Sequence, residues 1–255
     1  MKSLLLFVWL ALLPLNAVST IQQAFVGTSS TADGYFANVV LGTHFDGTNG
    51  ATTATEVRGK TLTFTNGAAL STAQFKYGTA SALFDGSNDY ISTADHVDFA
   101  FGSGDFTIEF WIYPATLASE QWVVSQFESA AGADTNSNFV IAVMTTGYVY
   151  WLTYSSSTPY SITGATTQVT LNAWNHIAAA RIGNTARLFV NGQQEGSVGV
   201  AATSFNNSNL PLYIGRRHTD TNRMVTGYVD DVRITKGIGR YASLFTPPTV
   251  PFQDQ

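Results

Sequence analysis

The stretch from Leu83-Phe-Asp-Gly-Ser-Asn-Asp-Tyr-Ile91 to Asp105-Phe-Thr-Ile-Glu-Phe-Trp-Ile112 decides the fold class. In its second half Phe106, Ile108, Phe110 and Ile112 alternate with Thr107, Glu109 and Trp111. Successive side chains on a strand point to opposite faces, so a period of two predicts a half-buried β-strand. The turn before it, Asp85-Gly-Ser-Asn-Asp89, is polar and turn-forming. A sandwich strand entered from a polar loop is predicted, and it points to a binding module before an enzyme.

Short strand-like runs recur on both sides between turn signals, at 39–45, 61–65, 82–84, 90–92, 106–113, 121–126, 139–144, 148–154, 174–181, 186–190, 193–198, 212–215 and 227–235. Asn191-Gly192 falls between two of them and predicts a two-residue hairpin turn with positive φ at both positions. No capped amphipathic run of three helical turns occurs outside the N-terminus. The predicted fold is all-β, a two-sheet antiparallel jelly-roll sandwich with an apolar N-terminal segment.

Four regions are expected. Residues 1–19 are signal-like: Lys2, an apolar run from Leu4 to Leu13, Pro14, then small residues to Ser19. The run is shorter than the roughly 20 apolar residues of a membrane span. Cleavage after Ala17 or Ser19 fits this pattern; an uncleaved arm buried against a partner subunit is the alternative. Residues 20–37 read as a polar arm, 38–252 as the sandwich and 253–255 as a tail. The proline-rich end, Leu244-Phe-Thr-Pro-Pro-Thr-Val-Pro-Phe252, is expected to run extended on the surface or toward a partner.

Composition narrows the function. Twelve Lys and Arg stand against seventeen Asp and Glu, giving a net charge of -5 with no basic cluster. Nucleic acid is excluded as a partner, because phosphate binding needs clustered cations. Cysteine is absent, which removes disulfides, thiolate metal sites and cysteine nucleophiles. Only 11% of residues are charged. A surface kept soluble by hydroxyls and amides fits an extracellular or virion protein.

Four segments in order carry a family resemblance: Phe84-Asp-Gly-Ser-Asn-Asp-Tyr-Ile91; Phe106-Thr-Ile-Glu-Phe-Trp-Ile112; Trp174-Asn-His-Ile-Ala178 with Arg187-Leu-Phe-Val-Asn-Gly192; and Gly227-Tyr-Val-Asp-Asp-Val-Arg-Ile234. Together they resemble the laminin-G-like jelly roll of the concanavalin A-like lectin/glucanase superfamily. Thr43-His-Phe-Asp-Gly-Thr-Asn-Gly50 and the segment from Ile234 to Pro248 are similar to a subgroup found in phage and viral structural proteins. The resemblance implies a non-catalytic module that binds glycans or decorates a surface, secreted or on a virion. Its partners would be a glycan or cell-surface polysaccharide, other virion proteins, or a second copy. A purely structural decoration protein and a glycoside hydrolase are the competing readings.

Hydrolysis needs two carboxylates flanking the scissile bond. Glu109 stands alone on its strand, which argues against catalysis; a solvated or hydrogen-bonded strand residue is expected. His176 is expected to be a packed strand histidine, and His44, His96 and His218 form no zinc or triad pattern. Calcium, which takes six to eight oxygens, is the candidate cofactor. Its ligands would be Asp85, Asn88 and Asp89, with Asp230 and Asp231 added by the closing strand. Alternation places Asp230 with Tyr228, Val232 and Ile234 on an inward face. The alternative is that Asp85 and Asp89 make only turn hydrogen bonds.

Sugars stack on flat rings. Tyr148, Tyr150 and Tyr154 share a strand face with Leu152, while Trp151 lies opposite with Val149 and Thr153. One of these faces must belong to the core, and the pattern does not say which. Arg216 and Arg217, with Arg223, sit in one of the polar end loops, 130–138, 205–210 and 216–223, expected to supply rim contacts.

Overall fold

Phe106, Ile108, Phe110 and Ile112 all point into a core in the computed structural model, which describes residues 32–128, 135–218 and 222–255. The signal-like segment, the start of the polar arm, and parts of loops 130–138 and 216–223 lie outside the described residues. The unit containing the strands spans Ala32–Gln255, so it begins inside the expected arm and includes the expected tail.

One sheet runs β13 (Gln193–Gly199), β12 (Thr185–Val190), β11 (Asn175–Ile182), β6 (Phe106–Pro114), β15 (Thr226–Lys236), β4 (Ser81–Asp85), β3 (Ala69–Ser71). An eighth strand, β1 (Val39–Thr43), joins it along β15. The second sheet has seven strands: β10 (Thr158–Thr163), β9 (Val149–Ser155), β8 (Phe139–Val143), β7 (Gln121–Gln126), β14 (Leu212–Ile214), β5 (Tyr90–Thr93), β2 (Thr63–Thr65). Neighbouring strands are antiparallel throughout, and the inner faces of the two sheets close over one main core.

Every strand expected from sequence is present, and two more appear. β3 has only three residues, too short to show a period. β10 is an exposed edge strand carrying Pro159, with one buried residue, Ile162, so it lacks the alternation that marks a half-buried strand. The Asn191-Gly192 turn has φ of 50° and 81° at its two residues, the left-handed pair a type I′ hairpin requires.

β6 departs from expectation in one respect: it is buried on both faces. The cause is the C-terminal segment 237–255, which runs back over the outer face of the eight-stranded sheet. Thr107 Oγ1 donates to the Ile238 carbonyl, and Tyr241 stacks on Phe245 with ring centroids 3.6 Å apart above Ala178, Ala180 and Phe189. Phe245 N–H donates to the Gly192 carbonyl. A Cβ at position 192 would lie 1.9 Å from the Phe245 carbonyl oxygen, so this close approach needs glycine. Farther on, Phe252 N–H donates to Asp231 and packs under the Arg233 guanidinium. The proline-rich end is extended, as expected, but it is a strap on its own domain.

Beneath the strap, Glu109 is fully buried, which corrects the solvated alternative. Its Oε1 accepts from Arg233 Nε at 2.9 Å, and its Oε2 accepts from the Tyr241 hydroxyl at 2.7 Å. His176 Nε2 stands 3.3 Å from Oε2. Arg240 and Arg233 reach on to Asp33, tying the start of the described chain to its end.

Candidate functional site

With one outer face covered by the strap, the outer face of the seven-stranded sheet is where a groove with an aromatic floor lies. On β9 the ambiguity of the two faces resolves: Val149 and Trp151 enter the main core, while Tyr150, Leu152 and Tyr154 point outward. Trp151 is only 1% exposed and packs against Phe205, so it is a core residue and no platform for a ligand. The outward residues pack with Val140 and Ala142 of β8 and with Trp122 and Phe127 from β7 and its end. Tyr148 precedes β9 and is half-buried.

Sequence parity missed Trp122. Strict alternation places Trp122 and Val124 on one face, but the pairing of β7 with β8 shifts register between them. A bulge inserts one residue and reverses the facing of what precedes it. Val123 and Val124 both enter the core, and Trp122 turns outward.

A groove of about 260 Å³ lies here, lined by Glu120, Trp122, Ala142, Met144, Tyr150, Leu152 and Arg223. Arg223 Nε pairs with Glu120 at 2.7 Å on its rim. Arg217 lies 4.3 Å from the Trp122 ring centroid, and Arg223 lies 5.7 Å from it. Across β14, Arg216 lies over Tyr90 and Tyr213 at 4.4 and 5.4 Å. Tyr150 and both expected arginines thus share one sheet face, joined by Trp122, Tyr213 and Tyr90, which come from three other strands. An apolar floor with charged groups at its rim is the general form of a small-ligand site. A larger groove of about 500 Å³, near Lys60 and His96, is lined by hydroxyls and both signs of charge without a flat carbon ring.

The expected calcium ligands separate into two groups. Asp85 accepts from Ser87 N–H at 2.7 Å, an Asx-type turn. Asp89 accepts from Gly67 and Asp85 N–H at 2.7 and 3.1 Å, and the Asn88 carbonyl accepts from Asn66. Asp230 and Asp231 lie elsewhere: Asp85 pairs with Thr226 on β15, and four residues onward is about 13 Å along a strand. Nor does Asp230 share a face with Val232 and Ile234, as alternation implied. β15 shifts register against β6 between Asp230 and Arg233, and Asp231 has a φ of 48°. This second bulge puts Asp230 under Lys76 and Tyr77, whose N–H groups it accepts at 2.7 and 3.3 Å. Among the described residues no group of three or more acidic or histidine side chains is placed to hold a metal ion. The set does not fit a calcium cage as it stands. Chelation is therefore expected to shift the thermal midpoint by less than about 1 °C, since only a ligand of the native state stabilises it; calorimetry with EDTA and with added calcium checks this.

A family model of the concanavalin A-like lectin/glucanases superfamily matches residues 85–237, more than half of the sequence. The chain belongs to this superfamily. Solved structures extend the likeness of fold. The binding domain of Paraclostridial Mosquitocidal Protein 1 aligns with a TM-score of 0.62 at 15% identity, covering 80% of this chain and 50% of that one. The Botulinum Neurotoxin serotype G binding domain aligns at 0.59 and 17% identity, covering 80% and 49%. Domain 4 of AbnA, a GH43 extracellular arabinanase from Geobacillus stearothermophilus, in complex with arabinotriose, aligns at 0.55 and 18% identity, covering 78% and 94%. The chain thus spans about half the length of the toxin binding domains it matches. No curated protein sequence matches it.

Proposed function

We propose that this chain is a non-catalytic glycan-binding module, displayed on the exterior of a virion or cell, that takes sugar on the outer face of its seven-stranded sheet. The observation carrying this reading is the Tyr150–Leu152–Trp122 floor of a groove on the outer face of the seven-stranded sheet, on a sandwich whose own strap covers β6, β11 and β12 on the opposite face. A sugar ring's carbon face can lie on Tyr150 while Glu120 and Arg223 supply an acceptor and donors at the rim. The AbnA domain bound to arabinotriose shares this fold, which supports a sugar ligand by analogy. Against catalysis stands Glu109, fully buried beneath the strap and out of reach of a substrate.

The test is binding of the whole chain to an array of neutral and acidic oligosaccharides, followed by titration calorimetry on whatever is retained. Tyr150→Ala is expected to weaken binding about tenfold, or about 1.4 kcal/mol, with the fold retained and a lower thermal midpoint, because the ring is partly buried against the outer cluster. Equal affinity in the variant, or no glycan retained by the native chain, would remove the proposal.

A further inference from the structure

The sheet face that holds the groove also holds a cation, Arg216, that makes no ion pair among the described residues. Arg216 follows β14, and its guanidinium is fixed from several sides. Nε donates to the Arg217 carbonyl at 2.7 Å, and Nη2 donates to the His218 carbonyl. The plane lies over Tyr90 and Tyr213, and the Tyr213 hydroxyl is 2.9 Å from His218 Nδ1, bracing the ring beneath. Among the described residues no carboxylate lies within ion-pair distance of Arg216. A partly buried cation ordinarily keeps an acidic partner, because desolvation is otherwise uncompensated. Here rings and carbonyls hold it in place, and among the described residues these carbonyls take only Nε and Nη2 of its fork of five donors.

Position ties this cation to the groove. Arg217, the next residue, lies over Trp122, and Trp122 lines the groove. Residues 216–223 contain three of the chain's twelve Lys and Arg and a single acidic residue, Asp220, in a chain of net charge -5. A guanidinium fork meets a carboxylate or sulfate through charge-assisted bonds about twice as strong as neutral ones.

We propose that Arg216 is the anion-reading end of the glycan site, so that the ligand is an acidic oligosaccharide whose carboxylate or sulfate meets Arg216 while a ring farther along the saccharide lies over Tyr150 and Trp122, since β14 and β9 are three strands, about 14 Å, apart. This inference rests on the glycan-binding reading and deepens it. Arg216 acts by direct contact with the ligand, and Tyr90 and Tyr213 are positioning residues.

Matched probes test it with the whole chain: an oligogalacturonate against its methyl ester, and a sulfated galactan fragment against its desulfated form. The native chain is expected to bind at least one acidic probe about tenfold or more tightly than its neutral match, with affinity falling as salt rises. The pair that shows the preference tells carboxylate from sulfate. Arg216→Gln is expected to abolish that preference and Arg216→Lys to retain part of it, whereas Tyr150→Ala weakens both members of a pair. A measurement on the native chain guards against a variant that fails to fold: the Arg216 Nε–H resonance should shift with the acidic probe and stay fixed with the neutral one. Equal binding of acidic and neutral probes, an unmoved Nε–H resonance, or a preference that survives Arg216→Gln would overturn the inference while leaving glycan binding intact. Retention of no glycan of either kind overturns both.

Discussion

Glu109→Gln is expected to destabilise the sandwich by about 3–5 kcal/mol, the cost of breaking a buried ion pair from one side. Glu109 is fully buried, and burial alone would raise its pKa; Arg233, His176 and Tyr241 outweigh that and hold it down to about 2. Its Oε1 takes both Nε and Nη2 of Arg233 at 2.9 and 2.8 Å and lies 3.7 Å from Arg240 Nε. A neutral amide keeps the shape and the Tyr241 contact but leaves two guanidinium groups facing Asp33 alone. Urea denaturation measures the loss as a lower midpoint at unchanged slope. Affinity for a retained glycan should not move, because the groove is on the opposite outer face. A loss below about 1 kcal/mol would show that Asp33 alone neutralises both arginines. A fall in glycan affinity with an unchanged midpoint would place Glu109 in the site.

The same residue shows what alternation can and cannot say. Phe106, Ile108, Phe110 and Ile112 face the core because a period of two is a local property of the chain. That Glu109 is buried depends on Tyr241, 132 residues away, and that Arg240 is neutralised depends on Asp33, 207 residues away. No short window contains either contact. The groove was half legible: Tyr150 and Tyr154 share a face by parity, but choosing that face over Trp151's requires knowing where the other sheet lies. Asp230 stands on the other face from the one alternation predicts, and Trp122 gives no sign of its outward facing, for one reason. Each sits beside a bulge, and one inserted residue exchanges the two faces of a strand. Tyr90 and Tyr213 carry no local signal of a site; they become a platform only when β5 and β14 pair and Arg216 folds over both. Turn-forming and metal-binding loops draw on the same residues, so Asp85 and Asp89 fit both readings in sequence; the hydrogen bonds they accept from Ser87, Gly67 and Asp85 N–H are the contacts of the turn reading.

Stability is expected to fall as pH rises from about 6.5 to 9, by about 3 kcal/mol, through one histidine at the end of the strap. His44 Nδ1 contacts Asp231, and its Nε2 is 3.0 Å from Asp254. A neutral imidazole carries one N–H and one lone pair, so it satisfies both carboxylates only when protonated. Burial opposes that charge, but Asp231 and Asp254 overcome it and raise the pKa from 6.5 to about 9. The folded state therefore holds a proton that the unfolded chain releases near 6.5, and the stabilisation, complete below that value, is lost as pH climbs through 9. Asp230 acts in the same direction at lower pH. Burial, aided by the charge of Asp231, pushes it up to about 7, so ionising it weakens the fold between about 4 and 7. Glu109 acts oppositely: its depressed pKa gives stability that is present above 4.5 and lost as pH falls toward 2. The thermal midpoint should peak in mildly acidic solution and decline through neutrality, which scanning calorimetry across pH 3 to 10 reads directly. Asp254→Asn should flatten the alkaline limb, because an amide can donate to a neutral Nε2 that a carboxylate repels. A native midpoint that stays level between pH 6.5 and 9, or an Asp254→Asn limb as steep as the native one, would show that His44 does not clasp the strap.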